Sequence, residues 1–296
     1  MQLKTLFFLL LISCCLYGEA GAQSRPDSNF YVYLLMGQSN MAGRGAITEV
    51  YQNEQSPRVW MLNKEGAWVQ ARHPLHFDKP AVVGVGPGLA FGIKMAEAHP
   101  GANIGLVPCA VGGTAIERWE PGAYDASTNT HPYDDALLRI RAAMNKGVIK
   151  GVIWHQGESN ASRPEGYMEK LIALIERVRK EVGNPSLPFV AGELGRYRPV
   201  YAPISAEILK LPGRVPATAV VTTEGLVHKG DTTHFDSPSA TLLGERYAAQ
   251  MLRLEQTGKS SSTQEGQHPA QGETVQMGIP QTNERHARKW PVSAAQ

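Results

Sequence analysis

Ser39 stands directly after an apolar run, inside the string Met36-Gly37-Gln38-Ser39-Asn40-Met41. A turn at the end of a strand can lift a serine hydroxyl above the sheet edge, the setting of many nucleophilic serines, although this string is not the G-x-S-x-G elbow. A hydroxyl needs a base to take its proton and an acid to orient the base. Of the nine histidines, only His228 and His234 form a tight group with an acid, Asp231, directly ahead of a final helical segment. From the same loop as His234, Asp231 can fix the imidazole tautomer and stabilise the imidazolium. A serine in a strand-end turn is more often structural, so the reading depends on these partners.

Acyl chemistry also needs N–H donors already in place for a developing oxyanion. The candidates are the backbone N–H of Ser39, one from the Gly112-Gly113 turn, and the side-chain amide of Gln156. Glycine lets a backbone approach closely, though a glycine pair alone is indistinguishable from a simple turn.

These residues must be brought together by secondary structure. Short apolar runs at 30–36, 104–108, 151–155, 188–191 and 218–222 alternate with helical patterns at 89–98, 134–145, 164–182 and from Ser237-Pro238 onward. That alternation predicts an α/β domain with a parallel sheet, and the continuous apolar runs predict helices on both of its faces. Four of the runs lead into polar clusters: Gly37 to Asn40, Gly112 to Thr114, Gln156 to Ser159, and Gly192-Glu193. In an open parallel sheet such strand ends border the ligand crevice.

The chain has 296 residues, 42% hydrophobic and 19% charged, with 29 Lys+Arg against 27 Asp+Glu. This near-neutral balance gives no electrostatic footprint for nucleic acid, and the apolar content excludes a wholly disordered chain. Residues 1–22 have the pattern of an export signal: Lys4, the apolar run LFFLLLI, then Ala20-Gly21-Ala22. The run is too short for a transmembrane span. Leu11-Ile12-Ser13-Cys14 also matches a lipobox, which would anchor a lipoprotein through Cys14. After ordinary cleavage Cys109 alone remains, so no intramolecular disulfide forms and stability comes from a core. The folded domain is expected over 27–255, with residues 256–296 a disordered polar tail.

At the residues that carry this chemistry, the sequence resembles the SGNH (GDSL-like) hydrolase superfamily. Within it the resemblance is to the sialate O-acetylesterase and acetyl xylan esterase family, carbohydrate esterase family 6. The matching motifs are Met36 to Gly43, Gly86 to Phe91, Gly112 to Ile116 with Trp119, Trp154 to Ser159, and Asp231 to Phe235, in the family's order. The resemblance implies a three-layer α/β/α sandwich, flavodoxin-like, with a central mostly parallel sheet and no metal or other cofactor. It makes Ser39 the nucleophile, His234 the general base and acid, and Asp231 the helper acid. Ser39, Gly112 and Gln156 would form the oxyanion hole. Some family members use the glutamate of the His-Gln-Gly-Glu segment as helper, here Glu158, and that alternative stays open.

The activity implied is removal of O-acetyl groups from acetylated carbohydrates through an acetyl-enzyme. The near-neutral charge tilts the substrate slightly toward plant-type polysaccharide over sialic acid. Arg44, Arg118, Trp119 and Glu193 adjoin the motifs as candidate sugar contacts or, equally, packing residues. Other readings are a metal-dependent hydrolase using His228, Asp231, His234 and Glu158, and a non-catalytic carbohydrate-binding relative. The first leaves Ser39 and Gly112 unexplained; the second has no need of a nucleophile and base. Gly84 to Gly88 lacks the third glycine of a dinucleotide fingerprint.

Overall fold

The computed structural model describes residues 25–265. The expected export signal, Cys14 and residues 266–296 lie outside them. Seven strands form one sheet: β1 (Asp27–Gly37), β2 (Val59–Leu62), β3 (Trp68–Gln70), β4 (Asn103–Pro108), β5 (Gly147–His155), β6 (Phe189–Gly192) and β7 (Thr218–Val221). Their order is β3-β2-β4-β1-β5-β6-β7, and every pairing is parallel except β2 with β3. Alternate residues of β1 enter different cores. Val32, Leu34 and Met36 face one and Tyr33 and Leu35 the other, all fully buried. Each such side chain contributes roughly 1.5–3 kcal/mol relative to leaving it in water.

The helices supply the outer layers. Short α1 (Ser39–Ala42) and α2 (Glu49–Gln52) come first, then α3 (Gly88–Ala98), α4 (Pro132–Met144), α5 (Tyr167–Val182), α6 (Ala202–Leu209) and α7 (Ser237–Glu265). Helices α4, α5 and α6 cover one face through Ile140, Leu171, Leu174, Val178 and Ile204. Helices α3 and α7 cover the other through Leu89, Phe91, Met95, Leu243, Tyr247 and Met251. The result is the expected three-layer α/β/α sandwich. Gly183 ends α5 in the left-handed region at φ 71°, its N–H returning to the last carbonyls. At the start of α7, Asp236 Oδ1 accepts the Ser239 N–H at 2.9 Å, while the Ser237 hydroxyl donates to Ala46 O at 2.7 Å. Helix α7 also continues through Glu265, so the stretch expected to be tail from 256 begins as helix.

Strand β1 lies between β4 and β5, so the chain completes one side of the sheet with β2, β3 and β4 before adding β5, β6 and β7 on the other. That switch point is where a crevice opens at the strands' carboxyl ends. In register, Leu35 pairs with Pro108 and Gly37 with His155, which sets the loops after β1, β4 and β5 side by side. Among the described residues, no helix is long and apolar enough to cross a membrane.

Candidate active site

Ser39 is placed by a backbone that leaves the sheet abruptly. Gly37 has φ 130°, and a Cβ there would lie 2.1 Å from His155 O, so only glycine fits. Gln38 N–H still donates to His155 O at 2.8 Å, and the chain then turns into α1. The N–H groups of Met41 and Ala42 donate back to Gln38 O at 3.0 and 2.9 Å. Ser39 opens this turn, where the first N–H groups have no earlier helical carbonyl to bond.

The loop between β7 and α7 brings His234 to it. His234 Nε2 lies 2.9 Å from Ser39 Oγ, and His234 Nδ1 lies 2.7 Å from Asp231 Oδ2. Asp231 Oδ1 accepts the N–H groups of Thr233 and His234 at 2.9 and 2.8 Å. This tight turn carries Thr232 at φ 55°. Burial raises the Asp231 pKa, but the His234 backbone N–H, the His234 ring and the Thr233 N–H outweigh it and hold the carboxyl well below the usual range. An ionised carboxylate only accepts, so Nδ1 carries the imidazole proton and the Nε2 lone pair faces the serine hydroxyl. The arrangement can deprotonate Ser39 and stabilise the imidazolium that results.

Glu158 is positioned differently. Its Oε1 accepts from Asn40 Nδ2 at 2.5 Å and lies 3.6 Å from His155 Nε2, with no bond to His234. Burial raises its pKa, yet His155 and Asn40 prevail and keep it lowered. Of the two acids considered for the helper, the structure brings Asp231 to His234.

Two of the expected oxyanion donors are engaged elsewhere. Gln156 is fully buried, and its amide N–H groups turn to Asn160 Oδ1 at 2.8 Å and to Gln38 Oε1 and Thr114 O at 3.2 Å. It is a hub of the buried polar network, not a wall of the crevice. Gly112 does line the crevice, but its N–H donates to Asp78 Oδ2 at 2.8 Å, which also accepts from Arg44 Nη2 at 2.6 Å. A Cβ on Gly112 would meet this ion pair at 2.3 Å, the reason for glycine there. Burial raises the Asp78 pKa and Arg44 more than reverses it.

The crevice encloses about 390 Å³ and is walled by Ser39, His234, Gly112, Gly113, Ser159, Tyr201 and Thr233, with Arg44, Lys79 and Arg198 as its cations. A larger cavity of about 710 Å³ opens at the amino ends of the strands, beside Tyr31, Val148 and Glu255, away from Ser39. Of the candidate sugar contacts only Arg44 reaches the crevice. Trp119 is fully buried edge-on to Trp154, its Nε1 bonded to Thr114 Oγ1, and Glu193 is tied to Arg196 at 2.8 Å and to the Thr223 N–H. Arg118 is half-exposed near Asp125. His228 is turned into its own loop, with Nδ1 accepting from Gly230 and Thr232. Among the described residues no three His, Cys, Asp or Glu side chains form a metal-ligating group.

Sequence reasoning missed Asn40 and Asp78. Asn40 adjoins Ser39 in the motif, a position worth testing for any polar neighbour of a nucleophile. Asp78 sits in an irregular loop with no periodic signal, and its partners are 34 residues away in either direction.

A sheet covered on both faces, with a serine, a histidine and an aspartate in hydrogen-bonded sequence at its carboxyl edge, defines a class: α/β/α ester hydrolases. Residues 29–253 match the family described as "Carbohydrate esterase, sialic acid-specific acetylesterase". The chain is 32% identical over 234 residues to a probable carbohydrate esterase of Arabidopsis thaliana, covering 72% of this chain and 86% of the relative. A crystal structure of an Arabidopsis thaliana protein superposes with TM-score 0.67 at 30% identity, over 77% of this chain and 99% of that one. The fold is also that of NanS, with TM-score 0.61 at 19% identity over 79% of this chain and 99% of that one. The chain belongs to the sialic acid-specific acetylesterase family of carbohydrate esterases, and is a carbohydrate acetylesterase, a carboxylic ester hydrolase.

Proposed function

We propose that the chain is a serine esterase that removes acetyl groups from O-acetylated carbohydrates through an acetyl-enzyme. Ser39 Oγ attacks the acetyl carbonyl while His234 Nε2 takes its proton, and Asp231 holds the imidazolium. The Ser39 N–H stabilises the oxyanion, and the Gly112 N–H becomes available only when the Asp78 carboxylate releases it. The C–O bond to the sugar breaks with His234 returning the proton to the departing hydroxyl. Water, deprotonated by the same histidine, then cleaves the acetyl-enzyme to acetate and free Ser39. The observation that carries this reading is the continuous hydrogen-bonded line from Asp231 through His234 to Ser39, 2.7 Å and 2.9 Å.

Ser39→Ala tests it: kcat for acetate release should fall about 10⁴-fold or more with the fold intact. Full activity in that variant would refute the reading. EDTA should leave turnover unchanged; loss restored by zinc would favour a metal mechanism.

The substrate reading follows the crevice rather than the whole-chain charge. Arg44 is neutralised by Asp78, and Lys79 and Arg198 face the same space as the single carboxylate of Glu158, two cations against one anion. A sugar bearing a carboxylate is attracted there better than a neutral polysaccharide. An acetylated acidic sugar should therefore show a lower KM than acetylated xylan, with a difference that shrinks in salt. The reading includes export directed by residues 1–22, tested by sequencing the amino terminus of secreted protein.

A further inference from the structure

We propose that Asn40 is a positioning residue that locks the His234 loop onto the turn carrying Ser39, and that the buried Glu158 carboxylate sets the orientation of its amide. The inference rests on reading Ser39 and His234 as nucleophile and base.

Ser39 and His234 lie 195 residues apart, on two segments that share no strand pairing, and besides their own contact the Asn40 side chain bridges the two. Asn40, buried, follows Ser39 directly. Its Nδ2 donates to Thr233 O at 3.0 Å and its Oδ1 accepts the Phe235 N–H at 3.1 Å. Those two groups flank His234 in the chain, so the amide grips the backbone on both sides of the base. Tyr197 OH adds a second donor to Thr233 O at 2.9 Å, and the Phe235 ring packs edge-on against His155 and Tyr197.

The grip depends on which way the amide points. With Oδ1 toward Phe235 N–H, Nδ2 faces two oxygens, Thr233 O and Glu158 Oε1. A flipped amide would put oxygen against both of those oxygens and N–H against N–H. Glu158 only accepts and its side chain is 4% exposed, so it enforces one orientation with a charge-assisted bond. Its Oε1 also lies 3.6 Å from His155 Nε2, and its other oxygen, Oε2, is buried with no hydrogen-bond partner. No bond reaches from Glu158 to His234; it acts through Asn40.

The loop itself includes Gly230 at φ 114° and Thr232 at φ 55°, a shape that needs holding. A drift of about 1 Å between base and nucleophile costs on the order of a hundredfold in rate.

The test exchanges the two groups. Asn40→Asp keeps an acceptor for Phe235 N–H but sets a second carboxylate against Glu158. Asn40→Asp combined with Glu158→Gln restores a donor–acceptor pair with the roles reversed. On p-nitrophenyl acetate the single variant should lose about 100-fold in kcat with KM changed less than about threefold, and the double should recover about tenfold. Wild-type kcat in the single, or no recovery in the double, overturns the proposal. Should Asn40→Asp not fold, Glu158→Gln alone removes the charge that fixes the amide. It should lower kcat about tenfold at near-constant KM, and unchanged kcat overturns the proposal. Fluorophosphonate labelling separates the layers. Wild-type protein that takes no label at Ser39 refutes the nucleophile reading and this inference with it. If wild type is labelled and Asn40→Asp is labelled equally fast, the positioning role alone fails.

Discussion

Asp231→Asn changes one atom at the helper position and leaves the loop its scaffold. The asparagine Oδ1 still accepts the Thr233 and His234 N–H groups, at distances now 2.9 and 2.8 Å. Its amide nitrogen replaces Oδ2 at 2.7 Å from His234 Nδ1, and an N–H donor there requires Nδ1 to be the bare nitrogen. The imidazole proton moves to Nε2, which then points it at Ser39 Oγ across 2.9 Å and cannot accept the hydroxyl proton. In a fully buried Ser-His-Asp triad this change costs about 10⁴ in kcat. The Asp231 side chain is 37% exposed, so water stabilises part of the imidazolium and a loss of about 10³ is expected here, about 4 kcal/mol of barrier. The assay is kcat for p-nitrophenyl acetate beside Glu158→Gln, which should lose only about tenfold because its contact is one residue removed from the base. A greater loss in Glu158→Gln than in Asp231→Asn would refute this assignment of the helper acid.

Burial pushes the His76 pKa down to about 4, against an unfolded value near 6.5. The unfolded chain binds the extra proton first, so stability is full above pH 6.5 and is lost as pH falls toward 4. Urea unfolding should show about 2 kcal/mol lost between pH 7 and pH 5 from this group, and His76→Gln should flatten that slope. Gly37→Ala drives a Cβ into His155 O and should cost roughly 3 kcal/mol or more, seen as a lowered Tm together with lost turnover. Arg44 and Asp78 are 4% and 2% exposed at the side chain, so either alanine variant strands a buried charge and should cost about 3–5 kcal/mol. The double variant should cost clearly less than the sum, as measured by chemical denaturation.

Strands β1, β4, β5, β6 and β7 were legible because each is a continuous apolar run, β1 above all with its side chains buried in two cores. Strands β2 and β3, joined through a turn at Gly66, were not: β3 is three part-exposed residues at the sheet edge, and β2 is a four-residue run closely bounded by Arg58 and Lys64. That Ser39, Asp231 and His234 come together was legible because Asp and His share one loop and the serine follows a strand end. The bonds that already engage Gly112 and Gln156 were not legible, because hydrogen-bond partners from distant loops leave no trace in spacing. Asp78 occupies Gly112 N–H from 34 residues away, and Gln156 is claimed by Gln38 and Thr114, 118 and 42 residues off. The amide of Asn40 was invisible for the same reason, its partners lying 118 to 195 residues off.

The central claim is that Ser39 Oγ is the nucleophile activated by His234. Fluorophosphonate labelling of wild-type protein, followed by peptide mapping, tests it most directly. The account predicts a single phosphonyl adduct on the peptide containing Ser39, absent from Ser39→Ala and strongly slowed in His234→Ala. An active wild-type enzyme with no adduct at Ser39, or with its adduct on another residue, would contradict it.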